Sequence, residues 1–269
     1  MSPVALGLAL LAALSHSLWN LLVARTRETE VATAIALLSG VVVFAPIAIW
    51  TWQVSNEAIP FIAASALLEL LYFIVLARAY RSAELSVVYP LARGSAPVLV
   101  LLASGARSPL QVVGVLLVAV GTLLVRSVGK RGRWFDAMAG LILGLCIAAY
   151  TLVDQRGVRL AHPVAYLEAV LFAPALVYAA LVIWRASPRA AVQVLRPAPV
   201  IAGVLMFVAY GLTLIALQLA TASAVSAVRE TSVVITVLLA APLLREVVGA
   251  ARIGGAVIVT TGVAAVALG

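Results

Sequence analysis

Residues 89–98 read YPLARGSAPV, and a related stretch, VRETSVV, follows at residues 228–234. Each stretch places an arginine and at least one small hydroxyl residue inside a long apolar segment. A guanidinium is costly in hydrocarbon, so an arginine within a membrane span faces a protein interior or a watery cavity and has a partner. Two such residues in matching places, Arg93 and Arg229, predict a central polar site between two related parts of the chain.

The composition requires a membrane. Of the 269 residues, 65% are hydrophobic and only 10% are charged, which is too apolar for a soluble domain of this size. A span takes about 20 apolar residues, and we predict an all-α integral membrane protein with ten transmembrane helices. The predicted spans are 4–24, 31–52, 58–79, 84–104, 109–126, 136–155, 163–184, 198–219, 222–244 and 249–268.

The order of several features predicts an internal repeat. WNLLVAR at residues 19–25 aligns with YTLVDQR at 150–156, and FAP at 44–46 aligns with FAP at 172–174. The two arginine stretches align next, followed by the glycine pairs Gly114 with Gly255 and Gly121 with Gly262.

We therefore predict two five-helix repeats, residues 1–130 and 135–269, joined by a glycine-rich basic linker at 126–133. Because five is an odd number, the second repeat enters the membrane from the opposite side. Inverted repeats with a site near the midplane are a transporter design.

The net charge of +8 reflects orientation in a membrane rather than nucleic-acid binding, because the basic residues lie mainly between apolar segments. About 13 lysines and arginines fall in one set of connections and about 3 in the other. The positive-inside rule places the richer set in the cytoplasm, with both termini outside the cell (inner) membrane.

Span four carries the first group of candidate site residues. Ser86, Tyr89 and Arg93 are three and four residues apart and share one helix face. Pro90 and Pro97 each free a backbone carbonyl, which is typical of a helix that lines a cavity. In the functional interpretation Arg93 binds an anionic group of a substrate; in the alternative it pairs with an acid such as Glu69 and only fixes packing.

Span nine carries the second group. Arg229 and Glu230 are adjacent and would project about 100° apart from a helix, so that both border a wide cavity. Ser226 extends the face of Arg229. In the functional interpretation Arg229 binds substrate and Glu230 takes a proton or balances charge. In the alternative Glu230 forms a structural pair with Arg93 or Arg229.

Further candidates lie in other spans. Glu69 is an acid in the middle of a span and is a site candidate by default, although structural pairing is an equal alternative. His16 and Asn20 lie one turn apart, and a histidine bonded to a neighbouring helix is the alternative to a cavity-lining one. Asp154 and Glu168 are expected in shallow positions, with Asp154 near a span end and solvated. The remaining candidates are Trp19, Tyr150 and Tyr210, with aromatic core packing as the alternative for Tyr210.

Two histidines and a single cysteine, Cys146, give neither a metal-ligand spacing nor a disulfide. We predict no cofactor and no metal, only a proton or other ion gradient as a driving force. The glycines of spans five and ten predict close helix packing, with a monomer or a homodimer formed through these spans. The expected partners are the lipid bilayer and a small-molecule substrate.

Two five-span halves, SLWN at residues 17–20, and LLRE at 243–246 followed by Gly255 and Gly262 together resemble the EamA-type branch of the drug/metabolite transporter superfamily. The resemblance implies a carrier of small metabolites, often an exporter of amino acids, with a central cavity lined by both halves. Two departures stand out. Residues 105–109, GARSP, lack a counterpart of Glu246, and the resemblance implies cytoplasmic termini where the arginine count predicts the reverse.

We therefore predict a secondary transporter, an exporter of a small anionic or zwitterionic metabolite such as an amino acid, which works by alternating access. One alternative is a non-transporting membrane subunit or chaperone. Another is a membrane enzyme acting on a lipid-linked substrate, which would need acids or histidines clustered at one membrane face.

Overall fold

The computed structural model describes residues 1–26, 28–82, 85–106, 108–125, 134–185, 196–244 and 249–269. Within these ranges the side chains are described except at 80–82, 85–87, 183, 237, 240–244 and 252. The predicted linker 126–133, Glu246 and the side chain of Ser86 therefore lie outside the described part of the chain.

The described chain is helical throughout, apart from short connections. The helices are α1 (Pro3–Ala24), α2 (Thr29–Trp50), α3 (Ile59–Ser82), α4 (Leu85–Ser104), α5 (Pro109–Val125), α6 (Trp134–Gly157), α7 (Pro163–Arg185), α8 (Pro197–Leu219), α9 (Ala222–Arg229), α10 (Thr231–Leu244) and α11 (Ala250–Leu268), with a 3₁₀ turn at Asn56–Ala58.

Six described segments are long and apolar enough to cross a membrane, and they are Pro3–Ala24, Thr29–Trp50, Asn56–Ala79, Trp134–Gly157, Pro163–Val182 and Pro197–Leu219. Three shorter apolar helices are Val88–Ser104, Pro109–Val125 and Ile253–Leu268. An all-α integral membrane protein is therefore confirmed, whereas the count of ten spans stays a prediction.

Local sequence explains where several helices begin. Pro3, Pro109, Pro163 and Pro197 are each the first residue of a helix, where the missing N–H of proline costs nothing. The Ser2 side chain accepts a hydrogen bond from the Ala5 N–H and so caps α1. Helix starts thus agree with the predicted spans to within a few residues.

The most extensive helix contacts join the two predicted repeats. They include α1 with α8, α3 with α6, α4 with α6, α2 with α7 and α5 with α11. The predicted repeats pair α1 with α6, α2 with α7 and α3 with α8. Under this correspondence the α1–α8 contact is equivalent to the α6–α3 contact, and the α2–α8 contact is equivalent to the α7–α3 contact. All four contacts are present. Helices α1, α3, α4, α6, α8 and α9 therefore meet around a common centre.

Glycines allow α5 and α11 to pack closely. A Cβ atom added to Gly114 would lie 2.7 Å from the Gly262 carbonyl oxygen, and one added to Gly121 would lie 2.8 Å from that of Gly255. Small residues permit such backbone approach within a membrane. These glycines thus pack against a helix of the same chain. Gly254 differs, because no atom lies within 4 Å of a Cβ atom added to it. Formation of a homodimer through these helices stays a prediction.

The connections after α2, α6 and α8 lie at one face of the bundle and are hydrogen-bonded to other segments. We call this surface the loop-bonded face (residues 51–58, 158–162 and 220–221). The Ser55 N–H donates to the Leu160 carbonyl at 3.1 Å, and the His162 N–H donates to the Gln53 carbonyl at 2.7 Å. These bonds flank an isolated antiparallel bridge between Val54 and Ala161. The two connections are thereby fixed to each other.

Glutamine side chains add to the same face. The Gln218 amide donates to the Val158 carbonyl at 2.7 Å, and the Gln155 amide donates to the Ala220 carbonyl at 3.1 Å. Near the start of α5, the Gln111 amide donates to the Ser223 hydroxyl at 2.8 Å. Each bond satisfies a polar group near a helix end.

Candidate functional site

An ion pair joins the two predicted repeats. The Arg93 guanidinium on α4 lies 3.3 Å from the Glu230 carboxylate, which sits between α9 and α10, measured from Nη1 to Oε1. The exposed fraction is 7% for the Arg93 side chain and 2% for that of Glu230. The acid that pairs with Arg93 is thus Glu230 rather than Glu69. In an apolar interior each of these charges needs the other.

Other predicted site residues surround the guanidinium. Its Nη2 contacts Nε2 of His16 on α1. The Trp19 indole N–H donates to His16 Nδ1 at 3.2 Å, and the Asn20 amide donates to the His16 carbonyl at 2.8 Å. Arg93 also lies over the Tyr89 ring, 5.7 Å from its centroid, at cation–π distance. His16 is thus bonded to a neighbouring helix, and its part in solute binding stays a prediction.

Helix α9 ends beside the ion pair. Glu230 caps α9, with its N–H donating to the Ala227 carbonyl at 3.1 Å, and α10 begins at the next residue. The expectation of a continuous helix through Arg229 and Glu230 is therefore wrong. A hydroxyl group here competes with backbone N–H groups for a carbonyl, because the Thr231 hydroxyl donates to the Val228 carbonyl at 2.8 Å.

A helix of the other predicted repeat also contacts this junction. The buried Ser17 hydroxyl on α1 donates to the Ser232 carbonyl at 2.8 Å. The start of α10 is thus bonded to α1, and the Glu230 carboxylate lies where the two helices meet α4. Discontinuous helices are typical of backbone that lines a transport site.

A second polar centre surrounds Asp154 on α6. Its Oδ1 accepts hydrogen bonds from the Ser65 hydroxyl at 2.6 Å and from the Tyr166 hydroxyl at 2.9 Å. Its Oδ2 accepts one from the Tyr210 hydroxyl at 2.6 Å. The donors come from α3, α7 and α8, and Asp154 has an exposed fraction of 0%.

The expectation of a solvated Asp154 is therefore wrong, because three neighbouring helices cover the end of α6. Its position inside predicted span 136–155 was the signal available in the sequence. Glu168 lies near the start of α7, as expected, but its side chain is also buried rather than solvated.

Glu69 and Tyr150 connect the two centres. Glu69 is buried on α3 one turn after Ser65, and it interacts electrostatically with Asp154, Arg229 and the Tyr210 hydroxyl. Tyr150 interacts electrostatically with Glu69 and with both central arginines, and its ring centroid lies 5.9 Å from that of Tyr210. Arg229 is half-buried at the end of α9.

Most of the predicted site residues therefore share one network. Ser226 is buried on α9, and its part in the site stays a prediction. Among the residues that the structure describes, no group of three histidine, cysteine, aspartate or glutamate side chains is placed to hold a metal ion.

Comparisons with known proteins agree with this architecture. The family model described as "EamA-like transporter family" matches residues 134–268, about half of the chain. No curated protein matches. A solved structure described only as "Crystal structure of protein" superimposes with a TM-score of 0.79 at 16% identity, over 100% of this chain and 98% of that one. At that identity the likeness concerns the fold alone.

Proposed function

This chain belongs to the EamA-like transporter family, and from that premise we propose that it is a secondary transporter in the cell (inner) membrane that exports a small zwitterionic metabolite, with amino acids as the leading class. Transport proceeds by alternating access around the centre where α1, α3, α4, α6, α8 and α9 meet. Members of a transporter family carry solutes rather than convert them, so we assign no catalytic residue.

The buried Arg93–Glu230 pair is the observation that carries the proposal. A zwitterion has a carboxylate, which a guanidinium binds in charge-assisted hydrogen bonds, and an ammonium group, which a carboxylate binds in the same way. Without solute, the two side chains neutralise each other, so that neither charge stays alone in the apolar interior. A bound zwitterion would replace both partners at once and keep the charges balanced.

The position of the pair supports coupling to a conformational change. Its members come from different predicted repeats, and inverted repeats expose a midplane site to each side in turn when one rocks against the other. Hydrogen bonds between the connections at the loop-bonded face support a state in which solute does not leave on that side. The proposed cycle breaks these bonds once in each turnover.

Solute exchange in liposomes tests the proposal. The purified chain is reconstituted alone and screened by counterflow with amino acids, with monocarboxylates that lack an amine, and with amines that lack a carboxylate. We expect exchange of amino acids and its loss, by about tenfold or more, in Arg93→Gln and Glu230→Gln. Arg156→Gln is the matched control, because Arg156 is exposed at the end of α6.

Two results would contradict the proposal. One is exchange that stays at the wild-type rate in both Arg93→Gln and Glu230→Gln. The other is the absence of exchange for every class of solute with the purified chain, which would favour a non-transporting subunit.

A further inference from the structure

Asp154 does not contact the proposed solute pair directly, and it has its own ligands. The carboxylate accepts three hydroxyl hydrogen bonds, from Ser65, Tyr166 and Tyr210, and it is fully buried. No described arginine or lysine lies within ion-pair distance of it. A bare carboxylate in such a position is costly even when hydroxyl groups solvate it.

The positive and negative charges of the described residues around Asp154 and the ion pair do not balance. Arg93 and Glu230 neutralise each other. Arg229 carries one positive charge, and it interacts with two further acids, Glu69 and Asp154. Among these five described residues one negative charge is then left uncompensated, and one bound cation would balance it.

We propose that Asp154 and Glu69 together form a proton-binding site that couples solute transport to the proton gradient. The inference rests on the proposed function and names its driving ion. Two carboxylates that interact in a buried site hold one proton between them, since both cannot stay charged at low cost. The remaining ligands are hydroxyl groups that donate to the carboxylate, which suits a proton better than a metal cation with its need for several free oxygen lone pairs.

Charged and titratable groups face this site from each neighbouring helix. They are Glu69 on α3, Cys146 and Tyr150 on α6 itself, Tyr166 on α7, Tyr210 on α8 and Arg229 on α9, while Arg93 on α4 interacts with Tyr150. Arg229 is the charged group that a change in protonation of the site affects most directly, because it interacts with both Glu69 and Asp154. Its half-buried position allows it to contact solute as well.

The proton step is balanced. A proton from water binds to one carboxylate oxygen, and no covalent bond other than O–H forms or breaks. The protonated oxygen then donates a hydrogen bond, so one hydroxyl must turn from donor to acceptor. Tyr210 is placed for this change, because its hydroxyl interacts with both Asp154 and Glu69. Release of the proton to the opposite side reverses the step.

Two assays on the same liposomes test the inference. Counterflow measures solute exchange without net proton movement, and uptake driven by an imposed pH gradient measures coupling. In Asp154→Asn we expect counterflow to stay within about twofold of wild type, while pH-driven uptake falls about tenfold or more. Glu168→Gln is the matched control, because it neutralises another buried acid and should leave both assays unchanged.

Glu69→Gln and Tyr210→Phe provide further variants if Asp154→Asn does not fold, and both should lose pH-driven uptake more than counterflow. Wild-type protein that shows counterflow but no uptake in response to a pH gradient, or whose uptake a sodium gradient drives instead, would overturn the inference and leave the carrier function standing. Coupling that persists in Asp154→Asn would also overturn it. Absence of counterflow for every solute would instead refute the carrier function itself.

Discussion

Arg93 and Glu230 are 137 residues apart in the sequence, and their side chains meet at 3.3 Å in the interior of the helix bundle. One belongs to each predicted repeat, so the pair is a direct polar link between them. A buried pair of this kind contributes little to stability by itself, but removal of one partner leaves a charge without compensation. The link is therefore suited to exchange partners with a charged solute.

Removal of both charges should separate stability from transport. Arg93→Gln and Glu230→Gln each leave an uncompensated charge and should lower the free energy of unfolding by about 3–5 kcal/mol. The double variant is neutral and should recover most of this loss, while solute exchange stays absent. Thermal unfolding in detergent and counterflow measure the two effects. A double variant that transports at the wild-type rate would refute the role of the pair.

A disulfide across the loop-bonded face should stop transport. Val54 and Ala161 face each other in an antiparallel bridge whose hydrogen bonds lie on either side, and such pairs have Cα atoms about 4.5 Å apart. This spacing accepts a disulfide. In a Cys146→Ala background, oxidised Val54→Cys/Ala161→Cys should lose exchange, and a reducing agent should restore it.

The two single-cysteine variants are the controls for that experiment, because they cannot form the intramolecular bond. Exchange that continues at the full rate with the disulfide formed would show that this face need not open.

The glycines between α5 and α11 should tolerate no larger side chain. Gly121→Leu places a side chain against the Gly255 backbone and should lower the free energy of unfolding by about 1–3 kcal/mol. Gly254 lies on α11 with open space around it, so Gly254→Leu is the matched control and should change the free energy of unfolding little. Equal melting temperatures for the two variants would contradict the packing.

Orientation in the membrane follows from the basic residues. About 13 of them lie in the connections that we predict to be cytoplasmic, against about 3 on the other side, so the C-terminus should be outside the cell membrane. A C-terminal reporter that is active only in the cytoplasm should stay inactive, whereas one fused within the linker 126–133 should be active. The reverse pattern would place the loop-bonded face in the cytoplasm.

The sequence predicted the family and an all-α membrane protein, because hydropathy and charge act along the chain and can be counted. It missed the burial of Asp154, since its cover comes from Ser65, Tyr166 and Tyr210, which lie on three other helices. It also missed the end of α9 at Glu230, where neither proline nor glycine marks the break. Both features depend on contacts between distant segments, which periodicity does not report.

The most direct test is the structure of the protein with an amino acid bound, taken from the solutes that exchange in liposomes. We expect the solute carboxylate to lie about 2.7–2.9 Å from the Arg93 guanidinium, with the solute ammonium group at Glu230 and the ion pair opened. A solute bound elsewhere, with Arg93 and Glu230 still in contact, would contradict it.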